Sequence, residues 1–356
     1  MSIELKQVSK HFGSVPAVDK VSFAVKDGEL VALLGPSGCG KTTVLRMIAG
    51  LEMPSEGEIF VRGQRVNNLS VQQRNTGFVF QAYALFKNMT VWDNIAFGLK
   101  VKKWKRDLLA ARVEELVKLL ELGGLEKRYP RQLSGGQRQR VAIARALASK
   151  PGVLLMDEPF GAVDAKIRQE LREWLVRLQH ELQLTTLFVT HDQEEAMEIS
   201  DHIVIFSHGH VEQIGTPREV YECPASEFVA RFIGVINVLE VEVRQGLARA
   251  GELEFPAPGF AEGQQLRIGF RPYAVRVSPD PSAYRYRGIL RHTFFLGVMM
   301  RVELELPSGL IIRARMTKED YTRLGLTEDA VVSFQIGQYR FLAGEGGPLS
   351  PEVAGG

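Results

Sequence analysis

The chain has 356 residues, 45% hydrophobic and 24% charged, which predicts a soluble protein of two domains, or three at most, with a sizeable core. Its 44 basic and 42 acidic residues leave a formal charge of +2, which argues neither for nor against a nucleic-acid partner. Cys39 and Cys223 are too few for a disulfide framework or a metal cluster, charges throughout residues 1–20 predict no signal peptide, and no run of about 20 apolar residues is present, so a membrane role would go through a partner.

Short alternating runs at Ile3–Val8 and Val21–Val25 read as half-buried strands, with Lys26-Asp27-Gly28 as a hairpin-like turn after the second. Leu30–Leu34 is apolar on both faces, as a central parallel strand would be. Glu58–Val61 and Gly77–Phe80 are further strands. From Val91 to Ser149 the period becomes helical, with helices expected at Trp92–Leu99, Leu108–Leu122 and Gly136–Ala148. Strands return at Val153–Met156, Thr186–Thr190 and Ile203–Ser207, with a long helix, Ala165–Leu182, between the first two. A helical block is thus set between strands of one sheet. After Ile236 apolar–polar alternation and closely spaced turn signals such as Pro307-Ser308-Gly309 predict an all-β domain. The glycine- and proline-rich tail, Gly344–Gly356, is expected to fray.

The most specific signal is Gly35-Pro36-Ser37-Gly38-Cys39-Gly40-Lys41-Thr42, followed by Thr43, between an apolar strand and a helix start. It matches the phosphate-cradling G-x-x-x-x-G-K-[ST] loop in the context that loop requires. Glycines let backbone N–H groups converge on an anion, and the helix behind adds unpaired donors and a partial positive charge. Lys41 supplies a point charge for the outer phosphates of a nucleoside triphosphate, and the Thr42 hydroxyl can join a Mg²⁺ shell. Cys39, beside Lys41, is expected to be an oxidisable thiol shielded by bound nucleotide.

Four further features complete a hydrolytic site. The buried strand Val153–Met156 runs into Asp157 and Glu158, one carboxylate for Mg²⁺ and one as general base toward water. His191, after the strand ending at Thr190, lies on the ligand edge of a parallel sheet, able to reach the γ-phosphate or hold the water. Gln81, at the junction with the helical block, can touch Mg²⁺ or water without adding charge. Leu133-Ser134-Gly135-Gly136-Gln137 opens a helix with Ser134 as N-cap, a second anion-binding terminus. If both termini serve one nucleotide, two chains can close two nucleotides between them.

In this order the motifs resemble the ATP-binding-cassette (ABC) ATPases of membrane transporters, and the resemblance spans essentially the whole chain. Its most discriminating element is the Leu133–Gln137 run. It implies an α/β P-loop NTPase fold over residues 1–235, with an antiparallel β subdomain and a helical subdomain near 82–150. Residues 236–356 resemble the C-terminal oligonucleotide-binding-like (TOBE) regulatory barrel of bacterial import ATPases. ATP and Mg²⁺ are the implied ligands. The resemblance implies a head-to-tail homodimer in which Ser134, Gly135, Gly136 and Gln137 of one subunit meet the γ-phosphate bound by the other. Phe12 falls where the family stacks a ring on adenine, and Val18 packs alongside. Asp164 matches the loop that crosses the dimer interface, although Gly161 and Val163 depart mildly from the usual pattern.

By the same resemblance the partners are transmembrane permease subunits and, indirectly, a periplasmic or extracellular substrate-binding protein, without direct nucleic-acid contact. The location is the cytoplasmic face of the plasma membrane. Tyr83, Leu85, Phe86, Met89 and Trp92 offer apolar surface for the groove that takes a coupling helix, with ordinary helical core as the alternative for about half of them. Phe232–Leu239 and Gly269–Val275 look most like sulfate/thiosulfate import ATPases, with polyamine, sugar or iron importers as alternatives. A soluble cassette ATPase acting on nucleic acid or ribosomes is the alternative of another class. From the residues alone, Arg271, Arg276 and His292 read either as solvated barrel charges, the commoner case, or as positive charge for a regulatory oxyanion.

Overall fold

The computed structural model describes residues 1–161 and 163–342 together with the backbone of a short strand at Val353–Ala354; most of the expected frayed tail lies outside the described residues. The chain divides into two units, Met1–Val220 and Tyr221–Gly356. The division precedes the expected boundary at 235/236 because the helix Glu227–Phe232 belongs with the C-terminal strands. Its Ala230 packs with Ile236 and Leu342.

Two sheets build the first unit. The antiparallel one has the order β2 (Val15–Val25), β1 (Ile3–Phe12), β4 (Glu56–Val61), β5 (Gln64–Arg65). The second has the order β10 (His210–Gly215), β9 (His202–Ser207), β3 (Leu30–Leu34), β8 (Thr185–Thr190), β7 (Val153–Asp157), β6 (Thr76–Val79). From β9 to β6 it is parallel, and only β10 runs against its neighbour. All five residues of β3 are buried, as a strand covered on both faces requires.

Between the sheets runs α1 (Lys41–Ala49). Its Val44, Leu45, Met47 and Ile48 join Ile3, Leu5 and Phe23 of one sheet and Val31, Leu33, Leu155 and Val189 of the other in one core. Lys26-Asp27-Gly28 is not a hairpin, because β2 pairs with β1 while β3 pairs with β8 and β9. It is the crossing between sheets, pinned where Gly28 N donates to Thr185 Oγ1 at 2.9 Å.

The helical block α2 (Val91–Val101), α3 (Arg106–Leu119) and α4 (Gly135–Leu147) is inserted between β6 and β7, which are parallel neighbours. Side-chain caps start α2 at Thr90, α4 at Ser134, α5 (Ala165–Leu182) at Asp164 and α6 (Gln193–Ile199) at Asp192. The strand β10 and the helix α6 had no expectation from the pattern. The division between units falls within α7 (Pro217–Glu222).

The second unit carries α8 (Glu227–Phe232), α9 (Lys318–Leu324) and strands in two further sheets. One strand, β11 (Asn237–Arg244), alternates buried residues with half-buried or exposed ones along its length, which is the expected pattern of a sheet with one face in a core. Leu239, Val241 and Val243 pack there with Phe255, Ile268, Val302 and Phe334. Arg271 fits neither alternative, solvated charge or oxyanion ligand. Its guanidinium is buried, donates to the carbonyls of Ala230 at 3.0 Å and Tyr221 at 3.0 Å, and lies over the Tyr221 ring at 4.3 Å. These contacts fix α8 and leave no open face for a ligand.

Candidate active site

The loop leaving β3 is shaped by contacts that only glycine permits. A Cβ on Gly35 would lie 2.3 Å from Phe206 O, and one on Gly40 (φ +104°) would lie 2.4 Å from Ala17 O. Gly38 is different: its φ is +80°, and nothing stands within 4 Å of its Cβ position. The first two glycines serve the fold, and the third keeps the mouth of the loop clear.

Lys41 folds back over this loop. Its buried ammonium donates to Gly35 O at 2.8 Å and Pro36 O at 2.7 Å, holding a positive charge at the helix terminus. Cys39 is 6% exposed and packs in the core between the sheets, which corrects the expectation of an oxidisable thiol. Its Sγ is 3.5 Å from Lys41 Nζ, on the inner side of the loop.

Thr42 and Asp157 meet. Thr42 Oγ1 donates to Asp157 Oδ1 at 2.8 Å, and an Arg46 guanidinium nitrogen lies 4.0 Å from Oδ2. Burial pushes the Asp157 carboxyl above its ordinary range, against the Thr42 hydrogen bond and the Arg46 charge. A hydroxyl and a carboxylate beside a phosphate loop form a hard-oxygen donor set that fits Mg²⁺. Arg46 has no counterpart in the sequence expectations. Its spacing of four from Thr42 on α1 places both on one helix face and was the available signal.

One residue further, Glu158 takes a left-handed conformation (φ +44°), held by its N–H to Val189 O at 3.1 Å. Gln81 Nε2 donates to Glu158 Oε2 at 2.8 Å, and His191 Nδ1 lies 3.2 Å from Oε1. The ends of β6, β7 and β8 thereby bring Gln81, Glu158 and His191 together. The His191 side chain is 57% exposed and that of Glu158 23%, so the trio faces solvent across the carboxyl edge of the sheet.

Ser134, Gly135, Gly136 and Gln137 form a reciprocal cap: Gln137 N donates to Ser134 Oγ at 3.2 Å, and Ser134 N to Gln137 Oε1 at 3.0 Å. Gly136 is buried, its Cβ position 3.1 Å from Ile167 of α5, while Ser134 is exposed. Among the described residues no hydrogen bond joins this terminus to residues 35–42 of the same chain.

Phe12 is 50% exposed at the end of β1, beside Val15, with Lys10 Nζ 5.0 Å from its ring centre. Val18 is not a surface for a base: it is fully buried, 3.1 Å from the Cβ position of Gly40, and supports the loop from below. Asp164 Oδ1 accepts from Ile167 N at 3.0 Å and starts α5.

A groove of about 470 Å³ lies where the helical block meets β6, lined by Phe78, Phe80, Ala84, Phe86, Phe97 and Arg145. Of the five residues expected to form it, only Phe86 does. Tyr83 is 4% exposed, and its carbonyl and that of Ala84 accept from Arg145 at 2.9 and 2.7 Å. Asn94 ties Phe86, Met89 and Thr90 to α2. Among the described residues no helix is long and apolar enough to cross a membrane.

The family model described as ABC transporter matches residues 18–161. Over 96% of this chain and 96% of the relative, the sequence is 49% identical to the sulfate/thiosulfate import ATP-binding protein CysA of Synechococcus elongatus. It is 51% identical to the protein of that name from Thermosynechococcus vestitus over 92% of this chain and 94% of the relative. The Pseudomonas aeruginosa protein is 47% identical over 94% and 97%. Among solved structures, the ATP-binding cassette MJ0796, a dimer in a post-hydrolysis state bound to ADP and Pi, matches 61% of this chain and 99% of its own with TM-score 0.54 and 35% identity.

Proposed function

The chain belongs to the ATP-binding-cassette transporter ATPases, and on that premise we propose that it is the ATP-hydrolysing subunit of a sulfate/thiosulfate importer, acting as a head-to-tail homodimer on transmembrane permease subunits. The observation that carries the hydrolytic reading is Glu158, held at one oxygen by Gln81 and at the other by His191, one residue beyond the Asp157–Thr42 pair. The substrate class is supported by relatives of that name aligned over nearly the whole chain, the C-terminal unit included.

The phosphates of ATP lie on the amides of residues 35–43 and the N-terminus of α1, with Lys41 exchanging its loop carbonyls for phosphate oxygens. Thr42 and Asp157, with Gln81 as a further candidate, would hold Mg²⁺, which when bound would supply charge neutralisation at the outer phosphates. Phe12 stacks on the base. Each Glu158 oxygen keeps a lone pair beyond its present contact, so the carboxylate can take a proton from water as the oxygen attacks the γ-phosphorus. The bond to the bridging oxygen breaks, giving ADP and phosphate. In the neutral tautomer whose Nδ1–H donates to Glu158, His191 Nε2 is an acceptor, which suits it to hold the water rather than a phosphate oxygen.

The serine-capped terminus of a second chain, Ser134 to Gln137, covers the γ-phosphate, and Asp164 lies at the crossing. Hydrolysis removes the bridge and the pair opens. The groove at Phe80, Phe86 and Phe97 spans the segment before α2 and α2 itself, and Phe80 is the sequence neighbour of Gln81, so permease movement there is felt at Glu158. The subunit is peripheral, on the cytoplasmic face of the membrane, and meets the substrate-binding protein only through the permease. The test is labelled sulfate uptake into vesicles holding this chain with its co-purifying permease. ATP-dependent uptake of another solute, with none of sulfate or thiosulfate, overturns the substrate; no phosphate release in any assembly overturns the ATPase.

A further inference from the structure

We propose that Arg168 is a positioning residue that ties the loop before α5 to the backbone on both sides of His191, so that displacement of Val163 and Asp164 is felt in how His191 meets Glu158. This deepens the ATPase reading above and rests on it.

Arg168 lies in the first turn of α5, where its N–H donates to Asp164 O at 2.9 Å. Its guanidinium addresses two loops at once. Nη2 donates to Val163 O at 3.3 Å, and Nη1 donates to Asp192 Oδ2 at 3.4 Å. Nε lies 3.8 Å from Glu195 Oε1 without a hydrogen bond. Asp192 and Glu195 in turn grip the chain around His191. Thr190 Oγ1 donates to the buried Glu195 at 2.6 Å and accepts from Asp192 N at 3.0 Å. Of the two residues flanking His191, Thr190 is thus bonded to one carboxylate facing Arg168, that of Glu195, and Asp192 carries the other. The only side chain bonded to the His191 ring is Glu158, among the described residues, so its direction is set from this backbone.

The same two helices carry a contrasting pair. One turn along α5, Arg172 Nε lies 2.7 Å from Glu198 Oε2 of α6, a close ion pair without hydrogen-bond geometry that touches neither the loop before α5 nor the chain around His191. The Arg168 contacts are all at or beyond the long end of hydrogen bonding. A set of long contacts from one planar fork to a carbonyl and two carboxylates is a poor static brace. It can shorten on one side as it lengthens on the other when the loop at Val163 shifts. In the proposed dimer that loop lies at the crossing between subunits, and Arg168 passes its position to the water-holding histidine.

The test is a double-mutant cycle in the full-length chain, read as single-turnover ATP cleavage with labelled nucleotide and as steady-state kcat and KM. Arg168→Met is expected to lower the cleavage rate by about tenfold with KM changed less than about twofold, while Arg172→Met stays within about twofold of wild type. On a His191→Ala chain, Arg168→Met is expected to add less than about twofold, because its effect runs through that ring. A further tenfold loss on His191→Ala overturns the inference, as does an Arg168→Met rate within twofold of the parent. If Arg168→Met fails to fold, Arg168→Lys, which keeps the charge but not the fork, enters the same cycle with the same two outcomes. Absence of cleavage by the wild-type chain would instead overturn the ATPase reading.

Discussion

Gln81 Nε2 donates to Glu158 Oε2 at 2.8 Å, joining the residue that opens the helical block to the proposed base. The contact exists because β6 and β7 are parallel neighbours in register, Val79 beside Met156, so the chain leaves both strands at one level. An amide holds the carboxylate without neutralising it. The proposed base is thus physically attached to the segment proposed to feel the permease.

Glu158→Gln keeps the shape of this contact and removes the basicity. The variant is expected to bind ATP and dimerise, with phosphate release reduced about 10²–10⁴-fold. Size-exclusion chromatography with ATP and a phosphate-release assay check both halves. Release within a few-fold of wild type would remove Glu158 as base.

Ser134 is exposed, and its cap makes no hydrogen bond to residues 35–42 among the described residues, which is what a site completed by a second chain requires. Lys41→Ala and Ser134→Arg chains are each expected to be inactive alone. Mixed, they form heterodimers with one sound site, pairing the intact loop of one chain with the intact cap of the other. Hydrolysis should return to at most about a quarter of wild type. Activity of Ser134→Arg alone would show that the site is not shared.

Two glycines of the loop should fail for different reasons. At Gly40 a methyl meets Ala17 O at 2.4 Å, a backbone atom that cannot move aside, and φ is +104°. Gly40→Ala is expected to cost at least ~3 kcal/mol or to prevent folding. At Gly38 a methyl meets nothing within 4 Å, so Gly38→Ala should cost only ~1–2 kcal/mol for its φ of +80°. Nucleotide would no longer raise its melting temperature, because the methyl stands where the phosphates approach. Thermal melts with and without ATP separate the two; equal destabilisation would contradict the assignment.

The chemistry-bearing strands were legible because strong local signals coincide there. Leu30–Leu34 and Val153–Met156 are apolar on both faces and end in the glycine loop and the carboxylate pair, and each is a parallel strand of the main sheet. What stayed hidden depends on distant partners. The turn at Lys26–Gly28 has hairpin chemistry, yet it joins strands of different sheets, a choice made by β8 and β9 about 150 residues later. The family resemblance implies a place for Val18 beside the base, but packing under Gly40 buries it. Arg168 reads as one charge on an amphipathic helix until α6 folds against it and supplies Asp192 and Glu195.

Asp157 should show the cost of a buried carboxylate that has no metal to meet. Burial raises its pKa above the ordinary carboxylate range, so the folded state disfavours the charged form more than the unfolded state does. The penalty is absent at low pH, where both states are protonated. It grows as pH rises through the ordinary range and is complete above the folded-state value. Asp157→Asn keeps an oxygen for Thr42 and carries no charge. Without metal at pH 7 it is expected to melt above wild type, by about 2–4 °C for each kcal/mol of relieved penalty, and the gap should close as pH falls through the carboxylate range. Magnesium with ATP should reverse the order, because binding stabilises only the chain that keeps the carboxylate. Scanning fluorimetry in EDTA, then with Mg·ATP, checks each step. An Asn variant that melts below wild type in EDTA at pH 7 would mean that Thr42 and Arg46 more than offset the burial.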